Sequence, residues 1–562
     1  EKVGGCGGLL VGCDSQAPMA DSGSPGSGSS WLGVVADGAV PVSGHGHVGV
    51  WPLDEHNAKL LDNVHPRGWQ NPQKPDDFVY DLIAVGAGAG GLVSSKQSAR
   101  RGARSALIEH HLAGGDCLNV GCVPSKALLR CARAIAEMRR TDLCLGGGVS
   151  GGDCRFPQIM ERMRKLRAQI APVDSHDATM KAGADVYMGR AVFTGPNELQ
   201  VAGQTLLFRK AVIATGGRAR VPSIPGLEKV PFLTNASLFN LTQLPPRLVV
   251  LGAGPISLEM AQAFRRFGSE VTVLQRSDTI LGTEDPDAAK MLHQVLTEEG
   301  ITILTGTGVK SVSHNHAEGQ HWPEIRVSAL NNGEDCEILC DALLVATGRV
   351  PNIEDLGLEA AGVEVTAGVG VKVNDDLTTS NPDILAVGDV IDHPDLRFTH
   401  MAGTMAGMAV QTALFAGRGL PVNAASGLLS QVVVPRCTYT EPEIASCGIS
   451  NLKAAAAQGV EVDVYKSELD HNDRAILEGA SCGGFVKILC QKGTEQIVGA
   501  TVVSERGGDI LAELTLAVQY KLGLSAIART VHPYPTLGEA VQQCALNYNR
   551  ARWEKLDQSG EL

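Results

Sequence analysis

The sequence predicts an α/β protein built from two doubly wound dinucleotide-binding units followed by a third, α+β region. Three observations carry this expectation. A glycine fingerprint sits between a β-rich run and a helical stretch within residues 78–103; a second one, similarly placed, occupies residues 247–267; and from about Ser426 the pattern changes to alternating strands followed by helices. A lone G-x-G-x-x-G is a weak signal. Set between strand and helix, with an acid about 20 residues on, it marks a dinucleotide site.

Residues 1–50 form the first segment. Glycine and serine fill 20 of these 50 positions, beside a single Lys and no Arg. That composition favours a flexible leader. Its acids Glu1, Asp14, Asp21 and Asp37 do not fit an Arg-rich, acid-poor transit peptide. Cys6 and Cys13 are spaced too widely for a CxxC metal-binding arm. Residues 51–77 read as an N-terminal extension ahead of the first unit, which is expected over 78–230.

The run Phe78–Val85 is β-rich, breaks into Gly86-Ala87-Gly88-Ala89-Gly90-Gly91, and continues as a helix to about Ala103. Ser105–Glu109 is then a second strand ending in an acid. Gly86 permits the tight turn, Gly88 lets backbone approach a pyrophosphate at the helix N-terminus, and Gly91 lets helix and strand pack closely. Glu109, 23 residues beyond Gly86, is placed to bind the adenosine ribose hydroxyls.

Next come two thiols in Gly114-Gly115-Asp116-Cys117-Leu118-Asn119-Val120-Gly121-Cys122-Val123-Pro124-Ser125-Lys126. On one regular helix, i and i+5 lie roughly 7.5 Å apart on nearly opposite faces. A disulfide wants Cα atoms closer than about 7 Å. If Cys117 and Cys122 bond, Cys117 must lie in a loop feeding the helix, with Gly114, Gly115 and Gly121 permitting the bend. A helix N-terminus also stabilises a thiolate.

The second fingerprint follows the strand Arg247–Leu251 and reads Gly252-Ala253-Gly254-Pro255-Ile256-Ser257, with a helix through Phe267. Ser257 stands for the third glycine and predicts looser helix–strand packing. The next strand, Glu270–Leu274, ends in Gln275-Arg276 rather than an acid. An acid would hold a ribose 2′-hydroxyl and repel a 2′-phosphate, so Gln275 and Arg276 favour NADPH, with NADH the alternative and a solvent-facing Arg276 the bland reading.

Bulk properties narrow the field. A length of 562 residues allows about three or four domains. A formal charge of −13 argues against nucleic acid and anionic membranes as partners. Fourteen cysteines are too dilute for a disulfide-built secreted scaffold, which favours a soluble protein of a reducing compartment. No apolar run approaches the ~18 residues of a membrane span.

The dozen residues around Cys117 and Cys122 resemble the redox-active disulfide of the pyridine nucleotide–disulfide oxidoreductases, the family of glutathione reductase, dihydrolipoamide dehydrogenase and mercuric reductase. The resemblance implies a glutathione-reductase-type fold: two Rossmann-like domains and a C-terminal α+β dimerisation domain. It implies FAD at the first fingerprint and the nicotinamide at the second. Ala214-Thr215-Gly216 and Ala346-Thr347-Gly348-Arg349-Val350-Pro351-Asn352 look like the family's two crossings between domains. Thr379–Asp389 looks like its second flavin motif, in which Asp389 would bind the ribityl chain. Gly115 belongs to the same flavin contacts, and Lys126 with Glu259 resembles the ion pair beside the flavin. These motifs divide the chain into FAD-binding parts at 78–230 and 350–425, a nicotinamide domain at 231–349, an interface domain at 426–550 and a tail at 551–562. The interface domain implies a homodimer. Within it, strands are expected at Gln431–Val434 and Phe485–Leu489.

The C-terminal motif departs from the family's disulfide reductases. These read His-Pro-Thr-x-x-Glu, with the His as acid–base group and the Glu orienting it. Here Val531-His532-Pro533-Tyr534-Pro535-Thr536-Leu537-Gly538-Glu539 puts Tyr534 in the histidine's place when counted back from Glu539, with His532 two positions earlier. A phenol is a poor proton shuttle at neutral pH and an imidazole a good one. Mercuric reductase has a tyrosine at this point, and residues 51–553 resemble that branch. Its vicinal C-terminal Cys-Cys and its CxxC trafficking domain are not matched; the last segment has only Cys544. The remaining cysteines read as core residues; Cys336 and Cys340 on one strand would be ~13 Å apart. The expected enzyme carries electrons from NADPH through FAD and Cys117–Cys122 to a soft metal ion. The alternatives are a small-molecule disulfide substrate, with His532 as base, and a low-turnover FAD-binding redox sensor or assembly subunit.

Overall fold

The computed structural model describes residues 49–140, 155–416, 427–479 and 483–559. Residues 1–48 of the leader, with Cys6 and Cys13, the cysteines Cys144, Cys154 and Cys482, the expected boundary at 425–426 and the last three residues lie outside them.

Leu82–Val85 is apolar throughout and buried at all four positions, as suits a strand covered on both faces. It forms the middle of a five-stranded parallel sheet in the order Ile384–Ala386, Ala211–Ile213, Leu82–Val85, Ser105–Glu109, Ala184–Met188. The chain thus returns to this sheet from residue 384 after building a second one. That second sheet is also parallel, ordered Phe232–Leu233, Ala342–Val345, Arg247–Leu251, Glu270–Leu274, Thr302–Leu304. The two fingerprint helices, Ala89–Arg100 and Pro255–Phe267, leave the C-terminal ends of the central strands. Gly268, at φ 119°, stops the second helix in the left-handed conformation that favours glycine. The first stops at Arg100, short of the expected Ala103, where Gly102 turns the chain at φ 85°.

The C-terminal region is an antiparallel sheet ordered Arg436–Thr438, Glu443–Gly448, Ile497–Ser504, Phe485–Gln491, Val462–Glu468. The helices Gly507–Gln519 and Glu539–Ser559 follow it in the chain. Charged contacts tie this region to the second sheet's unit. Lys487 Nζ lies 2.8 and 2.9 Å from the two oxygens of Asp285 and 2.6 Å from Asp287. Arg266 bonds both Glu299 and Glu441.

Two expectations are corrected. Gln431–Val434 is not a strand: a 3₁₀ turn covers Leu429–Gln431, and the first strand begins at Arg436. The N–H of Val433 is taken by the side chain of Gln519 at 2.9 Å, and Val432 and Val434 pack on the core of the first sheet instead. Cys117 is not in a loop. It lies in a separate six-residue helix, Gly115–Val120, and Gly121 breaks the chain before Cys122 opens the long helix to Arg139. Gly114, at φ 89°, starts that short helix, and a Cβ on Gly121 would fall 2.7 Å from the carbonyl oxygen of Asp116. The break lets two thiols five positions apart turn towards each other.

Candidate functional site

Cys117 and Cys122 stand as free thiols whose ionisations oppose each other. The influence of Cys122 does most to push the Cys117 thiol up, with burial adding to it. Cys117 in turn stabilises the Cys122 thiolate and brings it down to about 6 against the opposing effect of burial. Thr399 Oγ1, 3.3 Å from Cys122 Sγ, and the charge of Lys126 assist. One member of the pair is therefore a thiolate at neutral pH, and Cys122 is also the more exposed of the two.

Lys126 lies one turn along the helix that Cys122 opens. Its ammonium donates to Glu259 Oε2 at 2.8 Å. Glu259 is buried, and its other oxygen accepts the N–H of Tyr439 at 3.0 Å, while Lys126 sits 4.3 Å from the centre of the Tyr439 ring. Residues from all three regions meet here. No motif points to Tyr439 or to Thr399, which reaches Cys122 across 277 positions.

The first fingerprint is continuous with the thiol site. Gly114 N–H donates to Ala87 O at 2.8 Å, and a Cβ on Gly115 would fall 2.7 Å from Gly88 Cα. A Cβ on Gly86 would meet Ala214 O at 2.5 Å, and one on Gly91 would lie 1.7 Å from Gly86 O. Only glycine fits this cradle. Gly88 caps the helix Ala89–Arg100 without a side-chain bond, so its first N–H groups are left for an anion. Glu109, buried, accepts from Ala87 N at 2.6 Å and from His111 N at 2.7 Å. Burial pushes its carboxyl up, but the bonds from His110 and these amides hold it net below the usual range. It stays an anion with acceptor sites to spare for ribose hydroxyls.

Asp389 accepts from Arg349 Nε at 3.0 Å, and the same guanidinium reaches Asp116 and the carbonyl of Gly217. Arg349 thus ties the residue before Cys117 to the Thr379–Asp389 segment. It stood inside a recognised motif and was not singled out. Thr215 donates to Asn352 O at 2.7 Å, and Asn352 returns a bond to Thr215 O at 2.9 Å, which locks the two crossings together. Gly216, at φ 68°, and Gly348, at φ 120°, turn the chain at that junction.

At the second fingerprint a Cβ on Gly252 would meet Ala346 O at 2.7 Å, while Gly254 faces open space. Ser257 is fully buried, and its hydroxyl donates to Ala346 O at 3.3 Å. The serine bonds the neighbouring crossing, so the expected looser packing is replaced by a hydrogen bond. Gln275 bonds Thr279 O at 3.3 Å as well as the hydroxyl of Ser277, and Arg276 is exposed with no ion pair to any described residue. Arg276 thus presents donors at the strand's end, the Gln275 amide is engaged locally, and neither residue is a carboxylate.

His532 and Tyr534 part company. The His532 side chain is turned inward against Glu513, whereas Tyr534 is 71% exposed with its hydroxyl donating to Asp473 Oδ2 at 2.7 Å. Glu539 accepts from Thr536 N at 3.1 Å. Cys544 is buried with its thiol on Val486 O, and Cys340, Cys447 and Cys490 are also buried. No helix among the described residues is long and apolar enough to cross a membrane.

A family model described as pyridine nucleotide-disulphide oxidoreductase matches residues 80–414, and its dimerisation domain matches residues 434–545. The chain belongs to this family of FAD-dependent NAD(P)H enzymes. Within it, the chain is mercuric-reductase-like. It is 32% identical over 508 residues to a mercuric reductase of Staphylococcus aureus, covering 88% of this chain and 89% of that protein. It is also 32% identical over 483 residues to a dihydrolipoyl dehydrogenase of Bacillus subtilis, covering 83% and 97%. Among solved structures, the HOCl-induced flavoprotein disulfide reductase RclA of Escherichia coli superposes with a TM-score of 0.71 at 25% identity, covering 82% of this chain and 98% of that one.

Proposed function

We propose that this enzyme uses NADPH and FAD to deliver electrons at Cys117 and Cys122 to a soft metal ion of the Hg(II) type. The observation that carries the choice of substrate is the state of the C-terminal motif. His532 is engaged with Glu513 and Glu539 with Thr536, while the exposed side chain at the expected position is the phenol of Tyr534. Disulfide exchange needs an acid–base group to protonate a leaving thiolate. A soft cation needs only thiolate ligands, and Cys122 supplies one at neutral pH. The relatives named as mercuric reductases support the same reading.

In this reading the Gly86–Gly91 cradle, Glu109, Gly115, Thr215, Gly216 and Asp389 hold FAD, within residues 78–230 and 350–425. Gly252, Gly254, Ser257, Gln275, Arg276 and Gly348 hold NADPH, chiefly within 231–349. Bound there, the flavin supplies the two-electron relay between nicotinamide and the cysteine pair. Lys126 stabilises the Cys122 thiolate and is itself held by Glu259. The interface domain at 426–550 pairs two copies of the chain, and Tyr534 faces the partner subunit's Cys117. Fourteen cysteines in 562 residues are too dilute for a disulfide-built scaffold and favour a reducing compartment.

A second reading, reduction of a small disulfide, is favoured by the equal identity to dihydrolipoyl dehydrogenase. NADPH oxidation by the purified protein, measured against HgCl₂, oxidised glutathione, lipoamide and quinones, separates the two. Turnover with Hg(II) well above that with either disulfide is expected. Turnover with lipoamide or glutathione alone overturns the proposal.

A further inference from the structure

The family match begins at residue 80, so the extension at 51–77 lies outside it. In the structure this extension is attached to the thiol site at two points. The carbonyl of Val64 accepts the N–H of Ala113 at 2.9 Å, immediately before Gly114. From the helix Glu55–Val64, the fully buried Asn57 offers its Oδ1 to Arg167 Nη2 at 2.7 Å. The same guanidinium extends Nη1 to the main-chain carbonyl of Asn119 at 2.6 Å. Asn119 belongs to the six-residue helix that carries Cys117, and its carbonyl is among those a helix end leaves without a partner.

Arg167 is 1% exposed and makes no ion pair with any described residue. The neighbouring carboxylate, Asp54, is bonded to Arg164 instead. A buried cation without its own counter-ion is expensive to keep, so the bonds its donors do make hold it in place. Its two terminal nitrogens meet one side chain of the extension and one carbonyl of the thiol helix, while Nε has no partner among the described residues. Arg167 therefore cannot move without shifting one of them.

We infer that Arg167, held by Asn57, is a positioning residue for the redox pair: it sets the pitch of the helix that carries Cys117, and with it the approach of Cys117 to Cys122. The inference rests on the reading of these two cysteines as the redox centre. A disulfide forms only when the two sulfurs can reach bonding geometry, so loosening the helix disfavours the oxidised pair.

The test equilibrates the flavin-loaded protein in glutathione redox buffers and reads the Cys117–Cys122 disulfide fraction by alkylation and mass spectrometry, with flavin content and Tm recorded alongside. Arg167→Met should lower the equilibrium constant for disulfide formation about tenfold with flavin retained, a shift of about 30 mV for a two-electron couple. Asn57→Leu should lower it by less, and Arg167→Lys should recover part of the shift. A fall in Tm with the equilibrium unmoved in Arg167→Met and Asn57→Leu would make Arg167 a structural residue only and overturn the inference. If Arg167→Met does not fold, Asn57→Leu decides by the same criterion. A wild type that forms no Cys117–Cys122 disulfide strikes instead at the redox reading of the pair.

Discussion

The imidazole of His532 presents its Nε2 to both carboxylate oxygens of Glu513, each at 3.1 Å, inside the same subunit. Its Nδ1 faces the carbonyl of Thr530 at 3.0 Å. Both ring nitrogens are thus engaged, and only 8% of the side chain is exposed. Tyr534, two residues on, projects outward.

This relationship separates two substitutions. Tyr534→His should raise glutathione or lipoamide reduction by ~10²-fold or more, the usual worth of general acid–base catalysis. His532→Ala should lower stability by roughly 1–3 kcal/mol through loss of a hydrogen bond to a charged group, and leave kcat/KM little changed. Steady-state kinetics with thermal melts check both. A large activity loss in His532→Ala with Tyr534→His neutral would reverse the assignment.

The unequal thiols predict a proton count. Above pH 6 the Cys122 thiol is already ionised, whereas Cys117 is held protonated. Binding one soft cation between them should therefore release about one proton at pH 7.5 and about two at pH 5. Calorimetry of Cd(II) binding to the reduced protein in buffers of different ionisation enthalpy measures this. In Cys117→Ala the Cys122 midpoint should move up towards an ordinary thiol, since the group that does most to stabilise its thiolate is removed.

NADPH should exceed NADH in kcat/KM by about tenfold, roughly 1.4 kcal/mol of transition-state binding. Gln275→Glu places a carboxylate where the 2′-phosphate would lie and should erase or reverse the preference. An unaltered enzyme that prefers NADH contradicts the reading of Gln275 and Arg276.

The two fingerprints should tolerate a methyl group differently. Gly91→Ala drives a Cβ to 1.7 Å from Gly86 O and should abolish flavin retention or folding. Gly254→Ala adds a Cβ that meets nothing within 4 Å, so its flavin absorbance and Tm should match wild type. Any loss should be confined to KM for the nicotinamide, whose pyrophosphate the backbone must approach closely.

Where local pattern and tertiary demand agree, the elements were legible. Ser105–Glu109, Arg247–Leu251 and Glu270–Leu274 are strands over the residues expected, and the helix ending at Phe267 stops there because Gly268 follows. Gln431–Val434 misled because valines suit a strand whether or not a ladder partner exists, and Gln519 took the donor. The short helix around Cys117 was hidden by glycines that suggested a loop. The pairing of Lys126 with Glu259 followed only from family resemblance, since they stand 133 positions apart. Arg349, Thr399 and Tyr439 act through the fold alone, and no spacing announces them.

The carboxylates around Lys487 and Arg266 carry a consequence for how the molecule melts. Chains of several domains commonly unfold in steps. Here the second parallel sheet's unit and the C-terminal sheet share Asp285, Asp287, Glu299 and Glu441 as common anchors, so near neutral pH calorimetry should find them melting as one cooperative unit. The hydrogen bond from Lys487 holds the Asp287 carboxyl below its usual range, with burial opposing it. A depressed carboxyl stabilises the fold above the unfolded-state value of about 3.9 and loses that contribution as pH falls through its folded value. Acid should therefore uncouple the two regions before it unfolds either, and leave the second parallel sheet's unit and the C-terminal sheet to melt as separate transitions.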